Sequence, residues 1–308
     1  MISSTKSQSY LIKQKALELG FSECGISKAR VLEEERAPFQ KWLSEKMNGN
    51  MGYMSNHFEM RLDPAKIEEG AKSVISVLIN YFPSKKQIDL TAPVISKYAY
   101  GRDYHFIVKE KLTDLLKYIQ SEISPCQGRA FVDSAPVMER ALAKAAGLGW
   151  IGKHSLLINK YLGSYVFIGE LILDLDLAYD IPFTSDHCGT CTRCIDACPT
   201  RAIVADRVVD ARKCISYHTI ENKEEIPDSI RGKLENHIFG CDICQDVCPW
   251  NKVITPNQSE DFRPTEGLLE MQKNDWIELQ PETYKARFSK TAFERAGYKR
   301  IMQNISYL

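Results

Sequence analysis

The residues best suited to chemistry crowd into one stretch, Cys188 to Pro249. It opens with CGTCTRCIDACPT, closes with CDICQDVCPWN and holds eight of the ten cysteines. The first run reads Cys188-x2-Cys191-x2-Cys194-x3-Cys198-Pro199, the spacing with which bacterial ferredoxins hold a [4Fe–4S] cluster. Three successive thiolates reach three irons of one cube, and the fourth, carried into a helix, points at a different cluster. The second run keeps only Cys241-x2-Cys244-x3-Cys248-Pro249, with Ile238 where its first cysteine would stand; Cys214, 27 residues before Cys241, is the replacement at hand. Crossing the fourth ligands assigns Cys188, Cys191, Cys194 and Cys248 to one cluster and Cys198, Cys214, Cys241 and Cys244 to the other. Structural zinc favours two separated CxxC pairs and has no use for a CxxCxxCxxxCP run. The spacing therefore predicts two [4Fe–4S] clusters and a protein that handles electrons.

The remainder must position that module. A chain of 308 residues has room for one large domain and a small one, and 44 % hydrophobic with 26 % charged residues suits a folded chain with a full core. The amino terminus shows neither an apolar signal core nor a twin-arginine pair, and no run approaches the length of a membrane span. A cytoplasmic protein away from membranes is expected, where cysteines signify metal before disulfide. The 40 basic and 40 acidic residues cancel, but Tyr284 to Met302 carries six basic residues against the single acid Glu294. That is either a solvated helical face or a surface for nucleic acid.

Along the chain, residues 7–20 read as a helix stopped by Gly20, and FSECGIS as a short strand. Cys24 and Cys126 lack ligand spacing and read as structural thiols. Met47 to Arg61, rich in Gly, Met and Asn, suits a loop over a large flat ligand or a plain surface loop. Ser73 to Phe82 reads as a buried strand, and apolar residues at Val108, Leu112, Leu115, Ile119 and Ile123 predict a helix from Asp103 to Ile123. The short strand RAFVD is followed by SAPVMERALAKAAG, read as a helix with Pro136 in its first turn and Gly147 at its end. Asp133 then lies between a strand end and a helix start, as a ligand-binding carboxylate or as a cap. Two apolar runs, Ser155 to Asn159 and Ser164 to Asp174, read as a hairpin around KYLG, and the chain after Asp261 as broken helix.

Together these stretches resemble the cobalamin-dependent epoxyqueuosine reductases, which complete the queuosine base in the anticodon of certain tRNAs. The similarity rests on RLDP at Arg61 to Pro64, YAYGRDYH at Tyr98 to His105, VDSAPVMER at Val132 to Arg140, AGLGWIGKHSLLI at Ala146 to Ile158, and the cluster runs with CISYHTIE between them. His154 stands where the family usually has Asn, and most of the helical-repeat extension of longer members is missing; the last segment, RFSKTAFERAGYKRIMQNISYL, stops in mid-pattern without a capping Gly, so the native chain or its relatives are expected to continue.

The resemblance implies an α+β fold. A nitroreductase-like cobalamin-binding domain would take residues 1–181, a ferredoxin-like domain with the two clusters 182–256, and a helical C-terminal segment 257–308. It implies that cobalamin (vitamin B12) is contacted by Arg61, Ser96, Asp133, Leu157, Ile168, Ser216, Cys241 and Asp242, that Asp133 is the proton donor, and that Lys223 meets the tRNA. A monomer is expected, served by an external electron donor of flavodoxin or ferredoxin type. The rival reading is a reductive dehalogenase-like enzyme acting on a small molecule with the same cofactors. Reducing an epoxide to an alkene takes two electrons and two protons and releases water, so the site needs an electron store, a reactive metal and a local acid. A helix amino terminus beside Asp133 would favour the charged carboxylate and oppose the acid role, whereas burial against the corrin would favour the protonated form.

Overall fold

The computed structural model describes residues 4–308. Helix α1 (Ser4–Glu18) turns at Gly20, with φ +90°, into strand β1 (Glu23–Lys28). Helices α2 (Glu33–Ser44) and α3 (Phe58–Leu62) flank the Met- and Asn-rich loop. Then come β2 (Ser73–Asn80), the two-residue β3 (Val94–Ile95), and α4 (Tyr104–Tyr118), capped by Asp103 and extended by a π-helical turn Ile119–Ile123. Strand β4 (Gly128–Phe131), helix α5 (Glu139–Ala145), the pair β5 (Trp150–Ile151) and β6 (Leu157–Ile158), and strand β7 (Val166–Leu173) complete this part.

Strands β1, β2, β7 and β4, in that order, form one antiparallel sheet. Ile75, Val77 and Ile79 of β2, with Phe167, Leu171 and Leu173 of β7, face α1 and α4. Val74 and Leu78, with Ile168 and Ile172, face the side of α5. Both parities must be apolar when helices cover both faces, which explains the uncharged run SVISVLIN. Gly169 lets α4 lie directly on β7, because a Cβ there would come within 2.7 Å of Val108 and 2.9 Å of Leu112. Cys24 and Cys126 are buried in this core, as their lack of ligand spacing suggested.

Two expectations need correction. The turn after Asn159 does close, with Asn159 and Gly163 exchanging N–H···O bonds of 2.8 and 3.0 Å, but its flanks part: β6 pairs with β5, and β7 runs between β2 and β4. Both edges of β7 are already paired within the larger sheet, so β6 finds its partner in β5. The segment after Asp133 does not start a helix either. Residues 132–138 are an irregular loop, and α5 begins only at Glu139.

In the cysteine-rich part follow α6 (Arg193–Asp196), β8 (Ile203–Ala205), β9 (Val208–Val209), α7 (Asp228–Arg231), β10 (His237–Phe239) and α8 (Ile243–Asp246). Helices α6 and α8, one from each cysteine run, pack together. Ile238 is fully buried in β10, which pairs in parallel with β3. Helices α9 (Lys273–Ile277), α10 (Pro281–Phe288), α11 (Ala292–Ala296) and α12 (Tyr298–Ile305) close over Trp276, Phe288 and Phe293, in a core shared with Ile95, Tyr100 and Phe239. Among the described residues no helix is long and apolar enough to cross a membrane.

Candidate active site

A cleft of about 2420 Å³ runs between the sheet, the cysteine-rich part and the C-terminal helices. Ordinary small-molecule pockets hold about 300–1,000 Å³, so this one has room for a macrocycle together with a nucleoside. An inner cavity of about 370 Å³ adjoins it, with Tyr98, Arg140, Val166 and Ser216 lining both. Ser96, Leu157, Ile168, Cys241 and Asp242 line the inner cavity, Arg61, Asp133 and Lys223 line the cleft, and Ser216 belongs to each. Residues drawn from six separate stretches of sequence are thus gathered on one continuous surface.

The Met-rich loop does lie over this space, through Met47, Met51, Tyr53 and Met54. Arg61 pins it, donating from Nη2 to the Tyr53 carbonyl at 2.8 Å and from Nε to that of Asn56 at 3.4 Å. Burial lowers its pKa. The Asp242 carboxylate accepts from the Lys97 main-chain N–H at 2.8 Å and lies 3.4 Å from Lys97 Nζ. Lys97 in turn reaches Asp246 at 2.7 Å, tying the turn after β3 to the second cysteine run.

Cys188, Cys191 and Cys248 lie within electrostatic reach of Cys194, whereas Cys198, Cys214 and Cys241 act on Cys244. All four of the latter line the inner cavity, and none of the former does. Ile238 explains the missing cysteine: its position is core strand, and Cys214 reaches the second group from the far side of the intervening segment.

Asp133 takes a left-handed backbone, φ +50°, in the loop before α5. Its N–H donates to Glu139 Oε1 at 2.6 Å, and its Oδ2 accepts from the Tyr104 hydroxyl at 2.7 Å, with His105 Nε2 at 3.7 Å. Tyr104 is stacked on Phe167, centroids 4.1 Å apart, and burial, then the Asp133 charge, push its hydroxyl pKa up, so that it remains a donor. His105 Nδ1 sits 2.8 Å from Asp103 Oδ1, and Arg295 Nη2 of α11 is 3.3 Å from Asp103 Oδ2. With no helix terminus at Asp133, the dipole effect anticipated for it is absent. Tyr104, His105 and Glu139 were not singled out from sequence, although YAYGRDYH and VDSAPVMER contain them.

Glu139 is pushed up to about 8, by burial first and by Asp133 second. A carboxyl that keeps its proton when folded but loses it near pH 4.5 when unfolded takes up a proton on folding throughout that interval. Its contribution therefore makes stability fall as pH rises from about 4.5 to about 8. Glu139→Gln is expected to flatten that decline in unfolding midpoints of the cobalamin-free protein. Parallel profiles for variant and wild type would overturn the assignment.

The inner cavity beside the cleft also suits a polar arm of a corrin held in the cleft. Its wall combines apolar Leu157, Val166 and Ile168 with His154, whose Nδ1 accepts the Leu156 N–H at 3.2 Å. Burial, then Arg140, lower the His154 pKa to about 4, so the ring is neutral and its proton sits on Nε2. That donor is buried and has no partner among the described residues, a cost of roughly 1–3 kcal/mol that an amide or phosphate oxygen in the cavity relieves. The residues fit the group.

The basic segment is only partly free. Arg300 is directed at the main-chain carbonyls of His218, Asn222 and Glu224, fastening α12 to the cysteine-rich part. Arg295, Lys299 and Lys223 remain on the cleft.

Comparison with known proteins agrees with this geometry. Residues 187–251 match the family described as 4Fe-4S double cluster binding domain, and residues 61–134 the family described as Epoxyqueuosine reductase QueG, DUF1730. The chain is 55% identical to an epoxyqueuosine reductase of Cellulophaga algicola over 97% of each chain. A crystal structure of epoxyqueuosine reductase with an epoxyqueuosine-modified tRNA-Tyr stem loop superposes with a TM-score of 0.89 at 27% identity, over 98% of this chain and 80% of the other. A catabolic reductive dehalogenase shares the fold more distantly, at TM-score 0.55 and 17% identity, over 99% of this chain and 39% of the other. The chain belongs to the epoxyqueuosine reductase family.

Proposed function

We propose that the protein reduces epoxyqueuosine to queuosine in the anticodon of tRNA, in the cytoplasm, with cobalamin and two [4Fe–4S] clusters as cofactors. The observation that carries this reading is the convergence of three requirements on one space: a cysteine set on the inner cavity, a corrin-sized cleft beside it, and the Asp133 carboxyl at the cleft wall. When bound, cobalamin supplies a low-potential metal centre for cleaving the carbon–oxygen bond, and the clusters store and relay its electrons.

The protein's own part is positioning and protonation. With Asp133 Oδ2 occupied by Tyr104, Oδ1 makes no hydrogen bond among the described residues and is the oxygen that carries a proton toward the departing epoxide oxygen. Both protons of the reaction end on that oxygen as water. His105, held by Asp103, stands beside Asp133 as a second polar neighbour of its carboxyl, 3.7 Å from Oδ2. Arg61, Ser96, Leu157, Ile168, Ser216, Cys241 and Asp242, which line the cleft and the inner cavity, would hold the corrin. Lys223, with Lys299 and Arg295, meets the phosphates of the anticodon arm, where contacts weaken steeply with salt.

The test is an anaerobic one. Protein reconstituted with iron, sulfide and cobalamin is expected to show both cluster and corrin absorption, and to convert epoxyqueuosine to queuosine in tRNA from cells lacking the activity. Reduction of a halogenated phenol with the tRNA left unchanged would favour the dehalogenase-like reading instead.

A further inference from the structure

The two cysteine groups differ in what they face. Cys198, Cys214, Cys241 and Cys244 border the inner cavity, so a cluster there is the one adjacent to the corrin. The group of Cys188, Cys191, Cys194 and Cys248 lies away from it, under a surface made by exposed Gly189, Thr190, Thr192 and Arg193. Electrons from outside must reach this second group first.

The surface around it has a definite character. Cys188 and Cys248 share an apolar cluster with Trp150, Ile158, Phe183 and Trp250, and the Trp250 indole donates to the His187 carbonyl at 3.4 Å. The tight turn after Cys248 presents Lys252 and then Val253, which is 82% exposed. Beside it the turn closed by Asn159 and Gly163 presents Lys160 and Tyr161, 70% exposed; a Cβ on Gly163 would lie 3.1 Å from the Trp250 carbonyl, so the two turns abut. Lys160, Arg193 and Lys252 have no carboxylate partner among the described residues. Of the nearby acids, Asp186 is neutralised by Arg207 at 2.5 Å, leaving Asp196. Two large exposed apolar side chains on abutting turns, with three cations that have no carboxylate partner on these turns and on α6, match an interface whose partner carries the opposite charge.

We infer that the face built from Lys160, Tyr161, His187, Arg193, Lys252 and Val253 is the docking site of a small acidic one-electron carrier protein. This rests on the reading given under Proposed function. Each turnover consumes two electrons, so two reduced carriers dock in succession, each leaving oxidised by one electron, and the two protons come from the active-site side. A carrier of this kind is steered by long-range charge and held weakly, which suits repeated exchange.

The experiment compares a protein donor with a chemical one. The probe is a purified acidic flavodoxin; its affinity for the cluster- and cobalamin-loaded protein is measured by calorimetry at low salt, and turnover is driven either by reduced flavodoxin or by dithionite. In the double variant Arg193→Glu/Lys252→Glu, affinity is expected to weaken about tenfold or more and to lose most of its salt dependence, with the KM for flavodoxin rising in step. Dithionite-driven turnover and iron content should stay at wild-type values, because a small reductant needs no docking face. Val253→Ser, which removes an apolar contact without changing the charge of the face, is expected to weaken the same affinity. Unchanged flavodoxin affinity in both variants, or a wild-type protein that turns over with dithionite yet binds no flavodoxin, would overturn the proposal. A wild-type protein inactive on tRNA with either donor would instead count against the underlying reading.

Discussion

Asp133→Asn is expected to bind cobalamin and tRNA as the wild type does, while turnover falls by about 10²–10⁴-fold, the usual worth of a positioned general acid. The substitution keeps the local bonds. The Tyr104 hydroxyl can still donate to the amide oxygen, and the main-chain N–H at 133 still meets Glu139 Oε1. The left-handed backbone there, φ +50°, is one that Asn adopts as readily as Asp. Only the transferable proton is lost. A variant with normal cobalamin spectra and near wild-type rate would show that the proton reaches the oxygen another way, with His105, 3.7 Å from Asp133 Oδ2, the first candidate. Cobalamin affinity should be measured on the same preparation, to separate a lost proton from a lost cofactor.

What could be read before folding was what local spacing determines. The cysteine runs follow a spacing that is complete over a dozen residues, so a double-cluster domain was legible there, in the region 187–251 that matches a 4Fe-4S double cluster family. The buried character of SVISVLIN and the periodicity of α4 were legible for the same reason. Asp133 was found, but its surroundings were misread. Ser134, Pro136 and the apolar run beyond them carry the signals of a helix start, yet the Glu139 side chain turns back to the Asp133 N–H and the loop stays open until residue 139. Arg300 shows the converse failure. A basic residue in a basic segment reads as a phosphate ligand, but its guanidinium is spent on carbonyls of the segment 218–224, a long-range contact that spacing cannot reveal. Tyr104 and His105 become functional only because α4 crosses β7 at Gly169 and brings their rings to the end of β4, 29 residues away in sequence for Tyr104 and Asp133.

Cys248→Ser should remove one cluster and spare the other, lowering iron from about eight to about four per chain after reconstitution. Cys248 is buried among Trp150, Ile158 and Trp250 next to Cys188, and serine is smaller, so the fold should tolerate the change while the ligand is lost. On the docking reading proposed above, turnover driven by a protein donor should fall steeply, whereas cobalamin binding should persist, since no side chain of that group lines the inner cavity. Crossing makes a sharper demand on a double variant. If Cys188 and Cys248 hold the same cluster, Cys188→Ser/Cys248→Ser loses no more iron than either single change, and about four irons remain. If each run holds its own cluster, Cys188 and Cys248 belong to different ones, and the double variant is left with almost none. The electrostatic grouping, with Cys188, Cys191 and Cys248 acting on Cys194 while Cys198, Cys214 and Cys241 act on Cys244, favours the first result. Iron analysis of the double variant, with electron paramagnetic resonance of the reduced protein to identify the surviving cluster, decides between them.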